Sequence, residues 1–204
     1  MTIYNTGMTM KEKIYEIQRQ CVPLLSKYME QGEWQNFIDL ALTHWEVMAI
    51  AFQFYSEVPD SLKYQFAIDA YINHGDSIPA VRKAVRNAWK YGKAVLPPEI
   101  ANEQAITIYR AGEEPIEKAK YRISWTADYK IAEFFLTEYI GRHATHLYSG
   151  KIKTADIIAY CDEREEREIM QYGKVFDIVE ITPPQASLMH GHAPDSSDED
   201  TPEA

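Results

Sequence analysis

The spacing of apolar residues changes near residue 100, and this change constrains the fold more than any other feature of the sequence. From residue 9 to about 93, apolar side chains recur three and four positions apart, which is typical of amphipathic helices. After residue 100, short runs rich in β-branched and aromatic residues alternate with turn residues, as strands do. The sequence therefore predicts an α+β protein, with a helical N-terminal region over 1–98 and a compact mixed β-sandwich domain over 99–182.

Glycine and proline divide each half into elements. Gly32 and Pro59 separate the first three helices, Pro79 suits the first turn of a fourth, and Pro97-Pro98 disfavours helix in a linker over 92–98. The helices are expected over residues 9 to 32, 33 to 55, 60 to 73 and 79 to 91. In the second half, strands are expected at 105–110, 120–126, 145–152, 166–172 and 175–181, and helices at 127–140 and 154–160. A tight turn at Gly173-Lys174 predicts that the last two strands form a hairpin.

The charge is concentrated in the tail. The formal net charge is −10, and the last ten residues hold five acids and no base, so the tail supplies half of the excess. An acidic tail over 183–204, rich in proline and serine, is expected to be disordered. The rest of the chain is only mildly acidic, which disfavours a nucleic-acid partner because such binding needs a basic face.

No apolar run approaches the roughly 18 residues of a membrane span, and the N-terminus lacks a signal-peptide pattern. We therefore expect a cytoplasmic protein without a membrane partner, acting there or inside a host or target cell. Cys21 and Cys161 lie far apart with no Cys-x-x-Cys spacing, so reduced thiols are expected rather than a disulfide or a zinc site. His143 and His146 have no apparent third ligand, and no metal is expected.

Three short motifs in the second half carry residues suited to catalysis. They are Tyr109-Arg110 at the end of a β run, Ser124-Trp125-Thr126 closing another, and Glu166-Arg167-Glu168 where a later strand begins. In a strand, residues i and i+2 share a face, so the two glutamates of the last motif are expected to project together. Each motif alone also fits an ordinary explanation, namely a solvated charged loop, a surface arginine or a turn. Their order along the chain favours a shared site.

That order resembles the arginine–serine–glutamate signature of the mono-ADP-ribosyltransferases, in particular the cholera-toxin-like and ecto-ADP-ribosyltransferase group. The resemblance covers about residues 104 to 182 and implies an ADP-ribosyltransferase-like catalytic domain. Such an enzyme uses NAD as a substrate, with no metal, and transfers ADP-ribose to a protein while releasing nicotinamide. Residues 163–165 repeat the Glu-Arg-Glu triplet. We take the second copy as the motif because the apolar run from Ile169 follows it directly.

The resemblance also implies roles for individual residues. Glu168 is the catalytic carboxylate beside the ribose, Ser124 holds it in position, and Arg110 binds the NAD phosphates or the nicotinamide ribose. Glu166 acts on the second substrate, and a glutamate there goes with an arginine acceptor. Tyr109, Trp125, Thr126 and Phe134 complete the expected NAD-binding set. Trp125 and Phe134 are candidates for stacking on nicotinamide, although helix spacing favours a core position for Phe134.

Two other functions remain open at this point. An NAD glycohydrolase would have the same fold, with water in place of the protein acceptor. A non-catalytic interaction protein would use the aromatic helical half to bind a partner, and its acid cluster would be plain surface. For the transferase, the expected partner is a protein of a host or rival cell, with residues 160–165 corresponding to the family's target-recognition turn.

Overall fold

The computed structural model describes residues 8–75, 77–138, 144–162 and 165–182. The chain divides into two compact units between Val95 and Leu96, close to the predicted boundary after residue 98. The first unit is helical and the second combines helices with an antiparallel sheet, so the predicted α+β class is confirmed. The predicted acidic tail over 183–204 lies outside the described residues.

Local capping defines the first helix. The helix α1 spans Met10–Gln31. At its start the Thr9 hydroxyl accepts the Glu12 N–H at 3.3 Å, and the Glu12 carboxylate accepts the Thr9 N–H at 2.7 Å. Gly32 ends the helix in the left-handed region, at φ 70°, where glycine has no Cβ to clash. The sequence predicted both ends because these caps depend on neighbouring residues alone.

The second predicted helix is interrupted. It consists of α2 (Trp34–Ala41), α3 (Trp45–Ala51) and a 3-10 turn, Phe52–Phe54. His44 adopts extended backbone, at φ −146° and ψ 142°, and the Thr43 hydroxyl donates to the Leu40 carbonyl at 2.7 Å. Side-chain bonds of this kind compete with the helical pattern. The helix α4 (Asp60–His74) and the helix α5 (Pro79–Asn87), which a 3-10 turn at Ala88–Lys90 extends, agree with the predictions.

An aromatic cluster forms the core of the first unit. The Phe66 ring lies 4.7 Å from that of Phe52 and 6.4 Å from that of Phe37, between ring centroids. Phe37 and Phe66 are fully buried. Edge-on and tilted aromatic contacts of this kind stabilise a small helical core. Within the described ranges, no helix combines the length and the apolar character needed to cross a membrane.

The second unit begins inside the predicted linker. The prediction that Pro97-Pro98 disfavours helix is wrong at Pro98, where the short helix α6 starts. A proline is tolerated at the first helical position because the N–H that it lacks would have no partner within the helix. The predicted helix over 154–160 is wrong in its second half: a 3-10 turn ends at Asp156, and Tyr160 lies in a strand paired with Ile169. The elements after the boundary are α6 (Pro98–Ala101), β1 (Ala105–Gly112), α7 (Ile116–Ala119), β2 (Ser124–Thr126), α8 (Tyr129–Thr137), β3 (His146–Lys153), β4 (Ala159–Cys161), β5 (Glu168–Met170) and β6 (Phe176–Glu180).

The six strands form one antiparallel sheet in the order β4-β5-β2-β1-β3-β6. The described strands therefore connect into a single sheet and not into the two stacked sheets of the predicted sandwich. The predicted hairpin is also wrong, because β5 pairs with β2 and β4 whereas β6 pairs with β3. Gly150 in β3 allows this pairing: a Cβ there would lie 2.5 Å from Val175 Cγ1, just before β6.

One face of the sheet carries much of the second unit's core. Ile108, Tyr148 and Ile152 are fully buried, and Trp125 and Ile169 are buried on β2 and β5. Cys21 and Cys161, one in each unit, are both buried, and neither forms a disulfide. Burial raises the pKa of the Cys21 thiol, which suits a core residue.

Candidate active site

A row of three partnered residues crosses the middle of the sheet. Thr126 in β2 pairs with Glu168 in β5 on one side and with Tyr109 in β1 on the other. Directly opposite residues of antiparallel strands present their side chains on the same face. The register therefore aligns one residue from each of the three predicted motifs. Glu168 is buried in this row, with 5% of its surface exposed.

Thr126 also ties the acidic loop to the end of β2. Its hydroxyl donates to the Glu166 carbonyl at 2.7 Å and accepts the Asp128 N–H at 3.0 Å. The next residue, Ala127, donates its N–H to the Arg167 carbonyl at 3.0 Å. These bonds hold residues 166 and 167 against the strand that carries Ser124.

Glu166 and Glu168 do not share a strand. The strand β5 begins at Glu168, and Arg167 before it has a left-handed backbone at φ 46°. The predicted alternation of the two glutamates is therefore wrong, because a left-handed residue between them breaks the extended geometry. Glu165 is left-handed as well, at φ 57°. Such conformations cost about 1–3 kcal/mol each and concentrate at functional sites.

Arg110 meets Ser124 directly. Its Nη1 donates to the Ser124 carbonyl at 2.6 Å, and its Nε donates to Glu114 Oε1 at 2.7 Å. The contact involves the backbone of Ser124. Ser124 is two positions before Thr126 in β2, so its side chain lies on the same face of the strand as Thr126 and the Thr126 partner, Glu168. Arg110 and Ser124 are thus brought together, and so are the strands of Ser124 and Glu168.

Arg110 and Glu168, in contrast, do not lie in one row. Arg110 pairs with Tyr148, one position along from the pair of Tyr109 with Ser149. Alternation therefore directs Arg110 to the face opposite Tyr109 and Glu168. The guanidinium reaches the Ser124 carbonyl, at the start of β2, from that opposite face.

Glu114 is a site residue that the sequence analysis missed. Its side chain is 6% exposed and lies between two guanidinium groups, with Arg110 Nε at 2.7 Å and Arg122 Nε at 3.4 Å. Burial tends to raise the pKa of Glu114, but the charge and hydrogen bond of Arg110, assisted by Arg122, outweigh it and hold the pKa below its ordinary value of 4.5. The only sequence signal is an acid at position i+4 from the arginine, with Gly112 between them.

The lowered pKa predicts an acid-sensitive contribution to stability. A carboxylate with a depressed folded-state pKa contributes stability above its unfolded pKa and loses it as the pH falls through the folded value. We expect Glu114→Gln to lower the free energy of unfolding near neutral pH. The difference in free energy from wild type should shrink as the pH falls below 4.5, the ordinary pKa of a glutamate. Urea unfolding over a pH series measures this. The exposed neighbour Glu113, changed to glutamine, serves as control, and a difference independent of pH would contradict the prediction.

The aromatic candidates differ in exposure. Trp125 is 2% exposed and donates its Nε1–H to the Arg122 carbonyl at 3.2 Å, so its ring packs in the core and has no open face for nicotinamide. Phe134 on α8 is 43% exposed, contrary to the core position that helix spacing favoured, and it contacts the Phe135 ring edge-on. Tyr109 is half-buried, and its ring meets that of Tyr129 edge-on at 5.6 Å.

The remaining candidates have structural partners. His146 lies in β3, with Nδ1 2.8 Å from Glu180 Oε1, whereas His143 lies outside the described residues. Arg167 is bonded to the Tyr160 side chain, which raises the pKa of Arg167, and its backbone N–H donates to Asp162 Oδ1 at 3.2 Å. Across the ranges that the structure describes, no group of three or more potential ligand residues could hold a metal ion.

No known protein family matches the chain, and no curated protein or solved structure matches it significantly.

Proposed function

We propose that this protein is a mono-ADP-ribosyltransferase, which cleaves NAD and transfers ADP-ribose to a protein acceptor, with arginine as the favoured acceptor residue. The observation that carries the proposal is the row formed by Tyr109, Thr126 and Glu168, with Ser124 in the same short strand and Arg110 bonded to it. Residues from three motifs that are far apart in the sequence lie in the adjacent strands β1, β2 and β5, with Arg110 directed to the face opposite Glu168. The guanidinium of Arg110, the hydroxyl of Ser124 and the carboxylate of Glu168 belong to three adjacent strands, β1, β2 and β5.

Glu168 supplies the charge that the reaction needs. Breaking the bond between ribose C1′ and nicotinamide sends the electron pair to the leaving nicotinamide and develops positive charge on the ribose, as in glycoside hydrolysis. A carboxylate beside that ribose stabilises the charge, and a buried position strengthens the interaction because little water screens it. The acceptor nitrogen then forms the new bond to C1′ and releases a proton.

Arg110 supplies a planar cation for the phosphates or the nicotinamide ribose of NAD. Guanidinium groups suit phosphates because their N–H donors match the geometry of the oxygens. Here the group is held at two points, by Glu114 and by the Ser124 carbonyl. Because β2 is paired on both sides and Arg110 lies on the face opposite Glu168, the proposal requires NAD to pass around an end of this short strand between its phosphates and the reacting ribose.

Glu166 is the residue expected to accept the acceptor's proton. We therefore expect Glu166→Gln to lower transfer to arginine about 100-fold or more, while NAD hydrolysis falls far less, because water requires no guanidinium-binding carboxylate. Release of labelled nicotinamide and labelling of an arginine-containing acceptor measure the two outcomes separately. The exposed Glu117 on α7, changed to glutamine, is the matched control. Equal losses of transfer and hydrolysis would contradict this role.

The proposal itself is tested by incubating purified protein with NAD labelled in its ADP-ribose part and with lysates of candidate host cells. A labelled polypeptide is expected, and mass spectrometry then identifies the modified residue. Nicotinamide release without a labelled polypeptide would favour an NAD glycohydrolase instead. A calorimetric titration that detects no binding at millimolar NAD would overturn both enzymatic functions and favour a non-catalytic interaction protein.

A further inference from the structure

The ion pair of Arg110 with Glu114 is hydrogen-bonded and largely buried within the second unit. Both side chains are largely buried, with 17% of Arg110 and 6% of Glu114 exposed. A buried charge is costly unless it is paired and hydrogen-bonded, so this pair is not a chance surface contact. The row of the catalytic carboxylate does not use Glu114, and none of the roles assigned above explains it.

Gly112 provides the space for the Glu114 carboxylate. A Cβ at position 112 would lie 2.8 Å from Glu114 Oε2 and 2.9 Å from both Oε1 and Cδ. These distances are shorter than ordinary van der Waals contact, so any other residue at 112 would displace the carboxylate. The φ of Gly112 does not explain the glycine, because the residue lies within the extended strand β1.

The backbone of Glu114 is anchored independently of its side chain. The Tyr148 hydroxyl donates to the Glu114 carbonyl at 2.5 Å, and Tyr148 is the partner of Arg110 in the pairing of β1 with β3. Tyr148 is fully buried, so this anchor has little freedom to move. The carboxylate, the guanidinium and the hydroxyl therefore form one connected group on the core face of the sheet.

We infer that Glu114 is the positioning residue for Arg110, and that it holds the guanidinium in the orientation in which Arg110 binds the phosphates of NAD. The inference rests on the proposed function. With Nε bonded to Glu114 and Nη1 bonded to the Ser124 carbonyl, two points fix the plane of the guanidinium before any ligand binds. A preorganised group loses less conformational freedom on binding, which raises affinity without changing the contacts.

Two substitutions move the Glu114 carboxylate without removing its negative charge. Gly112→Ala pushes the carboxylate away from its place, and because that carboxylate is the end of a flexible side chain, the backbone can keep its course. Glu114→Asp shortens the side chain by one methylene group. Both variants keep the net charge of the site, so a change in NAD affinity reports orientation and not electrostatic attraction. The control is Glu113→Asp, which makes the same chemical change at the exposed neighbouring position.

The expected result is a rise of about tenfold in the Kd and KM for NAD in both variants, with kcat at saturating NAD nearly unchanged. A merely structural role would lower thermal stability without this division between KM and kcat. The Nε–H signal of Arg110 in nuclear magnetic resonance, assigned by its loss in Arg110→Lys, gives a second readout. Its exchange with solvent should be slow in wild type and in the control, and faster in both variants.

Each outcome bears on the inference. Folded variants that bind NAD as tightly as a wild type that does bind it would overturn the inference and leave the proposed function standing. An unchanged Nε–H exchange rate in both variants would overturn it as well. A wild type that binds no NAD would instead overturn the proposed function together with the NAD part of the inference. If Gly112→Ala fails to fold, Glu114→Asp alone decides.

Discussion

Glu168→Gln is expected to lower ADP-ribose transfer about 1,000-fold without unfolding the protein. Glutamine has nearly the volume of glutamate, and the pairing of residue 168 with Thr126 is made by the backbone, so the strand pairing should persist. It lacks the negative charge that stabilises the developing cation on the ribose, and burial of the side chain leaves little water to replace that charge. Single-turnover transfer of labelled ADP-ribose measures the effect, and circular dichroism and thermal unfolding verify the fold.

The control for this prediction is Glu117→Gln. Glu117 lies on α7, is exposed, and has no role assigned to it in binding NAD or the protein acceptor. We expect its transfer rate to stay within about twofold of wild type, since exposed substitutions away from the reacting atoms have small effects. Full transfer by Glu168→Gln, in a variant with wild-type stability, would remove the carboxylate from the mechanism and with it the proposed function.

The second large effect is expected at Gln171, directly after β5. Its side chain is fully buried, its Nε2 donates to the carbonyls of Lys120 and Arg122 at 2.9 and 2.5 Å, and its Oε1 accepts the Lys174 N–H at 3.0 Å. Only an amide supplies two donors and an acceptor in this shape. Gln171→Glu places a carboxylate oxygen against two carbonyls, and we expect it to lower the free energy of unfolding by about 3 kcal/mol or more.

The pH dependence distinguishes this cause from a loss of packing. The introduced carboxyl can approach the carbonyls only when it carries a proton, so its folded-state pKa is raised. Stability should therefore be least affected at acidic pH and fall further as the pH rises through that raised pKa. Gln171→Leu, which loses the three hydrogen bonds without adding a charge, should cost about 2 kcal/mol with little dependence on pH.

Gln65→Leu is the matched control for these variants. Gln65 is exposed on α4 and donates across one helical turn to Asp69 at 2.6 Å, so its loss should cost about 0.5 kcal/mol or less. Urea unfolding, with hydrogen exchange of the β2 and β5 amides to report on the second unit, measures all three. If Gln171→Glu proved as stable as wild type at neutral pH, the three hydrogen bonds would not contribute as argued.

Gln171 also matters for the candidate site. It binds the carbonyls of two of the residues that lead into Ser124, and its own N–H donates to the Ile123 carbonyl at 2.9 Å. The segment before β2 is thus held to the strand that carries Glu168. A fold defect at Gln171 would consequently reduce activity as well, and only the measured stability separates it from the effect of Glu168→Gln.

Short-range features were predictable from the sequence. The two ends of α1 follow from Thr9, Glu12 and Gly32, which act on residues within one helical turn. The spacing of apolar residues changes from helical to extended near residue 100, because periodicity reflects which side of each element is buried, and the two units divide between Val95 and Leu96. The break in the second helix after Ala41 was not predicted, because the helical spacing of apolar residues continues across it.

The pairing of the strands was harder to predict from the sequence. The turn at Gly173 has the positive φ expected of a tight turn, at 69°, yet the strands on either side of it belong to different parts of the sheet. Local turn chemistry cannot specify which distant strand offers the better partner. The close approach of Val175 to Gly150, which brings β6 to β3, joins residues 25 positions apart. Tyr160 was assigned to a helix for the same reason, since its pairing with Ile169 is not local.

By itself, the sequence determined the α+β class and the two ends of α1, because these depend on composition and local spacing. The motif residues and their roles stay predictions. Only the tertiary structure decided which of those residues meet: Glu168 beside Thr126, Arg110 against the Ser124 carbonyl, and a buried Glu114 that no motif had indicated. The physical reason is that strand register and burial arise from contacts between distant segments. Those contacts determine which partners a charged group has and in which direction its pKa shifts, and neither can be read from the residue type alone.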